Sequence, residues 1–241
     1  IDNFMQYQIA QIFFDNQDAG GNIKFWRPQT ENGKWRWIMY DTDWGFGLHS
    51  KNAYKHNSLA FHTEADGPSW PNPPWSTLIL RKLLENPDFQ QKFLTRFADH
   101  LNSTFASEHV EARINALYKQ LIPEMDRHLD RWNLKKHNWE FHVNIMRTFA
   151  KERPDYVRMH LMEKFDTGGL VDFEASVTAG GQILINDQIK VEHQLFNGQY
   201  FENIPVQIKA IPKFGYRFIG WKGIDLENDA LEATIKLQKG K

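Results

Sequence analysis

Apolar positions recur at helical spacing in the first residues, where Phe4, Ile9, Ile12 and Phe13 predict an amphipathic helix over 1–14. A polar loop with two glycines follows, Asp15-Asn16-Gln17-Asp18-Ala19-Gly20-Gly21-Asn22. Residues 23–27 and 35–40 then read as two strands. Asn32-Gly33 lies in the turn between them, which makes a hairpin. Asp41-Thr42-Asp43-Trp44-Gly45-Phe46-Gly47 leaves the second strand at once. Residues 48–76 show little periodicity and contain four prolines, so they are expected to form a long loop without regular structure.

From Trp75 the pattern is helical again. Leu80, Leu83 and Leu84 form one stripe, and Asn86-Pro87 reads as an N-cap followed by proline at the first helical position. Phe89, Phe93, Phe97 and Leu101 repeat every four residues, and Val110, Ile114, Leu117 and Leu121 mark a helix from near Ser107. Further separate helices are expected over 123–134, 138–150 and from Arg153-Pro154 to near Phe165. Beyond Gly168-Gly169 the period becomes two, through Val171, Phe173, Ala175, Val177, Ile183, Ile185, Val191, Val206, Ile208 and Ala210. The fold class expected is multi-domain α+β: a mostly helical domain with a small β-hairpin over 1–166, and a small all-β sandwich or barrel over 170–241.

The composition narrows the function classes. The 29 Lys+Arg against 30 Asp+Glu leave no basic footprint for nucleic acid or an anionic membrane. The absence of cysteine excludes disulfides and thiolate metal sites. No apolar stretch reaches the length of a membrane span. The chain starts with Ile1 inside a helical pattern, which reads as the start of a fragment.

A hairpin returns on itself, so its entry loop and exit loop come together. That places Asp18, Asn22, Asp41 and Asp43 within mutual reach. Carboxylates with an amide carbonyl are an all-oxygen set that suits Mg²⁺ or Ca²⁺ and not Zn²⁺. The bland alternative stands beside it, because Asp, Asn and Gly also serve turns and caps.

The order of these parts, a helix, Asp-x-x-x-Asn, a hairpin, then Asp followed by glycine, resembles the catalytic loop and metal-binding segment of protein kinases. Ile1-Asp2-Asn3-Phe4, Asn16-Gln17-Asp18, Trp37 to Gly47, Leu83 to Phe89 and Arg153-Pro154 are similar to the CotH family of spore-coat-type and surface proteins with an atypical kinase fold. The resemblance covers about residues 1–165 and implies a kinase-like C-terminal lobe. It gives Asp18 the catalytic role of orienting and deprotonating the attacking hydroxyl. It gives Asn22 and Asp41 contact with Mg²⁺ and ATP, with Asp43 as a further metal ligand and Ca²⁺ as the alternative metal. Three residues separate Asp18 from Asn22, where ordinary protein kinases have four. The Gly-rich nucleotide loop, the phosphate-pairing lysine and its glutamate partner are expected upstream, so this fragment alone is expected to be inactive.

His49, His56 and His62 have spacings that match no compact ligand motif. Trp70 to Trp75 reads as a rigid proline connector, with glycan stacking as the minority alternative. The run Ala210 to Gly223 resembles the internalin-type B-repeat of bacterial surface proteins, with Tyr216, Phe218 and Trp221 expected as core and turn residues. Together these resemblances imply a secreted or bacterial cell-surface protein with an unidentified protein substrate or surface partner. The function expected is phosphorylation of a hydroxyl on such a protein; the alternative is a non-catalytic surface binding or structural protein of the same fold.

Overall fold

The computed structural model describes residues 1–193, 195–224 and 230–238. In chain order it has α1 (Asp2–Phe14), β1 (Lys24–Trp26), β2 (Arg36–Ile38), a 3₁₀ turn (Ala53–Lys55), α2 (Ser58–Phe61), α3 (Pro74–Leu84), α4 (Pro87–Leu101), α5 (Ser107–Trp132) and α6 (Lys136–Lys164). Six strands follow: β3 (Leu170–Ala175), β4 (Gly181–Ile185), β5 (Ile189–Val191), β6 (Phe196–Phe201), β7 (Val206–Pro212) and β8 (Glu232–Ile235). Two compact units result, residues 1–90 with 104–164, and residues 91–103 with 165–241. Most of α4 therefore belongs to the unit that contains β3–β8.

In the first unit α1 is buried nearly all round. Met5, Tyr7, Gln8 and Gln11 are enclosed along with the expected Phe4, Ile9, Ile12 and Phe13. It is thus a core helix and not an amphipathic surface one. It ends in a Schellman-type closure, with Asp15 left-handed at φ 56° and Asn16 N–H donating to Gln11 O. The carbonyls of Ile12 and Phe13 at this end accept from a side chain. Arg153 is that side chain: Nη2 donates to Ile12 O at 2.8 Å and Nε to Phe13 O at 3.1 Å. Nη1 donates to Tyr54 O at 3.0 Å and His56 O at 2.6 Å.

Two expectations are corrected here. Residues 48–76 are not free of regular structure; they hold the 3₁₀ turn and α2, whose Asn57 Oδ1 accepts from Ala60 N–H at 2.9 Å. The cap and the Arg153 bonds to Tyr54 and His56 order this stretch without any hydrophobic period. Secondly, Pro123 and Pro154 lie inside α5 and α6, which are single helices of 26 and 29 residues. Proline removes one hydrogen bond, but the two helices pack along each other and offset that loss. Tyr118 stacks on Trp139 at 4.9 Å, Arg147 Nε donates to Asn115 Oδ1 at 2.8 Å, and Ile114, Val143 and Ala150 share a core.

In the second unit all strand pairs are antiparallel, in sheets ordered β3-β6 and β5-β4-β7-β8. Val206, Ile208 and Ala210 of β7 point inward as their alternation requires. Asn102, just past α4, brackets the backbone of Gln199 with Nδ2→O at 2.8 Å and N–H→Oδ1 at 3.0 Å, so a side-chain amide completes the edge of β6. Of the residues expected in core or turn, Tyr216 lies in a turn, its N–H donating to Lys213 O at 3.0 Å. It is 60% exposed, and its ring lies over Gly180, which has φ 102° and no Cβ to obstruct it. Phe218 and Trp221 meet edge to face at 5.1 Å.

Asp99 of α4 is buried in this unit and accepts from Asn186 Nδ2 at 2.7 Å and Tyr200 OH at 3.0 Å. Burial pushes its carboxyl up to about 7, against those two bonds and the charge of Arg96. The neutral form is favoured on folding, so this contribution is complete below the ordinary carboxylate pKa and disappears as pH rises through about 7. The Asp99→Asn variant will therefore lose a pH-dependent slope in stability, on the order of 4 kcal/mol across that window, measured by urea unfolding at a series of pH values.

Replacing Arg153 by Lys or Met will cost about 3–5 kcal/mol in the same assay, because neither residue can serve four carbonyls from one planar fork. A Lys variant close to wild type would show that the fork geometry is unimportant.

Candidate functional site

The site is built on the end of α1. Asn3 grips β2 through both backbone atoms of one residue: Trp37 N–H donates to Asn3 Oδ1 at 2.5 Å and Asn3 Nδ2 to Trp37 O at 3.4 Å. Phe4 packs on the Trp37 ring at 4.8 Å. The hairpin register Lys24↔Ile38, Phe25↔Trp37, Trp26↔Arg36 then returns the chain to the loop it left. There Asn16 Nδ2 donates to Gln11 Oε1 at 2.8 Å and to Asp41 O at 3.3 Å, joining the loop to the segment after β2. Asp41 has φ 53°, a left-handed conformation that Asp tolerates. Phe46 N–H donates to Phe14 O at 2.9 Å, and a Cβ on Gly45 would sit 2.7 Å from that oxygen, so glycine is required.

Asp18 Oδ2 accepts from Asn22 Nδ2 at 2.7 Å, within a turn closed by Gly21 N–H→Asp18 O at 2.9 Å. Asp18 is only 5% exposed. Its carboxyl is pushed above the usual range, first by burial, then by the charges of Asp41 and Asp43. Asp41 is raised too, chiefly by a hydrogen bond with Asp43, while Lys24 pulls it down. Asp18 is thus hydrogen-bonded to Asn22 and Asp41 to Asp43, and the second pair is linked to the first through its charge on Asp18.

For a cation, Asn22 spends its amide NH₂ on Asp18 and keeps its carbonyl oxygen, and two carboxylates crowd against each other. Oxygen donors are the kind that hard cations such as Mg²⁺ or Ca²⁺ take. Among the described residues no three His, Cys, Asp or Glu side chains already converge in ligand geometry. His49 packs on Trp44 at 4.2 Å, His56 bonds Asp15 and His62 is buried, so the three histidines serve separate places.

Several residues were not singled out by motif reasoning. Asp15 is buried and accepts from His56 Nδ1 at 2.6 Å, Ser58 Oγ at 2.5 Å and Gln17 Nε2 at 3.0 Å; Arg153 Nη2 in turn donates to Ser58 Oγ at 2.7 Å. Lys24 enters through its charge on Asp41. Trp70 is not merely part of a connector: it lies on the Asp18–Asn22 loop, where a Cβ on Gly21 would stand 1.9 Å from its ring and one on Gly20 2.4 Å from Pro71 O. The signal available was the pair Gly20-Gly21 itself, which marks a close approach by another backbone or ring. Replacing Gly21 by Ala will displace Trp70 and destabilise the unit by about 1–3 kcal/mol, and Trp70→Ala in the same chain will restore part of the loss. Thermal unfolding of the single and double variants measures both.

The family model described as CotH kinase protein matches residues 1–157. Neither a curated protein nor a solved structure matches the chain. The matched residues run from the helix that supports the site, through Asp18, Asn22, Asp41 and Asp43, to the turn of α6 that follows Arg153. The chain belongs to the CotH kinase protein family.

Proposed function

We propose that this chain carries the catalytic loop and metal-binding segment of an Mg²⁺–ATP-dependent kinase that phosphorylates a hydroxyl on a secreted or surface protein. The observation that carries the reading is the joint placement of Asp18, held by Asn22 at 2.7 Å, with Asp41 and Asp43 close enough to raise its carboxyl. Phosphoryl transfer needs little covalent help from a protein; it needs an aligned nucleophile and neutralised phosphate charge. Bound Mg²⁺ supplies that neutralisation, and Asp41, Asp43 and the Asn22 carbonyl are the oxygens that would hold it. Asp18 would orient the acceptor hydroxyl and take its proton as that oxygen bonds to the γ-phosphorus of ATP and the bond from that phosphorus to the departing ADP breaks, a task that a raised carboxyl pKa favours. The second unit, with its B-repeat-like run Ala210 to Gly223, serves as a spacer or adhesion module.

A second reading, a surface-binding or structural protein of the same fold, draws on the near-complete burial of Asp18. There the acidic pairs stabilise the loop or hold Ca²⁺.

Calorimetric titration of Mg²⁺–ATP into the full-length protein and its Asp41→Ala variant separates the two. Binding that falls at least tenfold in the variant supports the kinase, since each lost metal ligand of this type is worth about 1.4 kcal/mol or more. Equal affinity in both proteins, or none in either, overturns it. Where binding is seen, it weakens as pH falls through the carboxylate range, beginning at a higher pH than an isolated Asp would give, because Asp18 and Asp41 are both raised.

A further inference from the structure

The β1–β2 hairpin has two faces. Phe25 and Trp37 are partners on one, and Trp37 packs on Phe4 of α1. Lys24, Trp26, Arg36 and Ile38 share the other, and all four are exposed. Lys24 reaches across this outer face toward the exit of β2. Its Nζ lies 3.6 Å from the centre of the Tyr40 ring, and Tyr40 directly precedes Asp41. A cation over a tyrosine face is attracted by the ring quadrupole, so the ammonium is held at the border of the acidic site.

The surroundings of that ammonium define what it can bind. Asp41 is raised by its hydrogen bond with Asp43, then by burial and by the charge of Asp43, and Lys24 works against all three. The charges that act on Asp18 are those of Asp41 and Asp43, both negative. Among the described residues no carboxylate pairs with the Lys24 ammonium and no oxygen accepts from it. Its three donors are therefore available to a ligand. A triphosphate that carries one Mg²⁺ remains anionic, and at this site it would meet three acidic side chains. A single divalent ion cannot offset both the phosphates and the carboxylates. A further cation beside the phosphates is required, and Lys24 stands where the metal-binding segment begins.

We propose that Lys24 is a phosphate-binding residue of this site, its ammonium, held over Tyr40, donating to a phosphate oxygen of the bound nucleotide. The proposal rests on the kinase reading and adds to it a cation that the hairpin itself supplies, besides the phosphate-pairing lysine expected upstream. Tyr40 is a positioning residue, which acts on the nucleotide through Lys24.

Calorimetric titration of the full chain and its Lys24→Met variant, with Mg²⁺–ATP and with Mg²⁺ alone, tests this. The variant should bind Mg²⁺–ATP about tenfold more weakly, the loss expected for one charge-assisted hydrogen bond. It should bind Mg²⁺ alone as tightly as the unaltered chain or more tightly, because a positive charge beside Asp41 is gone. Lys24→Arg keeps the charge and should retain most of the nucleotide affinity. Unchanged Mg²⁺–ATP binding in Lys24→Met overturns the proposal and leaves the kinase reading standing. An equal loss for Mg²⁺ alone also overturns it, since Lys24 would then act on the metal and not on phosphate. No Mg²⁺–ATP binding to the unaltered chain overturns both. Where Mg²⁺ alone is too weak to read, the nucleotide titrations decide. Should the Met variant fail to fold, Lys24→Gln carries the same expectations, with thermal unfolding as the check on its fold.

Discussion

The buried guanidinium of Arg153 is the interaction on which the first unit depends. Removing a charge from water costs several kcal/mol unless every donor finds an acceptor. Here the fork serves Ile12 O and Phe13 O at the end of α1, Tyr54 O and His56 O in the following turn, and Ser58 Oγ on α2. Burial lowers its pKa to about 10, with Asp15 acting the other way, so it stays charged at neutral pH. One side chain on α6 thereby fixes the exit of α1 and the backbone of residues 54–58 in one frame. The loop that begins at Asp15 has its starting point set by that frame.

The acidic site is the second consequence. Asn3 and Asn16 use amides, which both donate and accept, to clamp β2 and Asp41 to α1 without adding charge. The two hairpin ends are then forced together although they bear Asp18, Asp41 and Asp43. Burial raises the Asp18 carboxyl first and the charges of Asp41 and Asp43 add to it, while Asp41 is raised chiefly by its hydrogen bond with Asp43. A fold that accepts such repulsion holds it against a gradient that a bound cation would relieve.

The second unit reuses the same device on a smaller scale. Asn102 completes the edge of β6 and Asn186 serves Asp99, while Asn186 Oδ1 accepts from Gln207 N–H at 2.8 Å. Side-chain amides stand in for missing strand and helix partners where the chain changes direction. That is why residues 91–103, most of α4 and the turn after it, belong to their unit although they are far from the strands in sequence.

The sequence by itself determined the local elements and the composition of the acidic site. Period and caps were enough for α1, the hairpin, the Asn86 cap of α4 and the alternation of β7, because each depends on neighbours within a few residues. Asp18, Asn22, Asp41 and Asp43 were legible for a related reason: a hairpin brings its two ends together whatever surrounds it. Pro123 and Pro154 misled, since the packing of α5 on α6 that overrides a proline is a long-range interaction. Only the tertiary structure decided that Arg153 is buried under α1 and that Trp70 lies on Gly21. Those pairs are separated by tens of residues or more and follow no period. Their meeting is set by how whole elements pack, which no local pattern encodes.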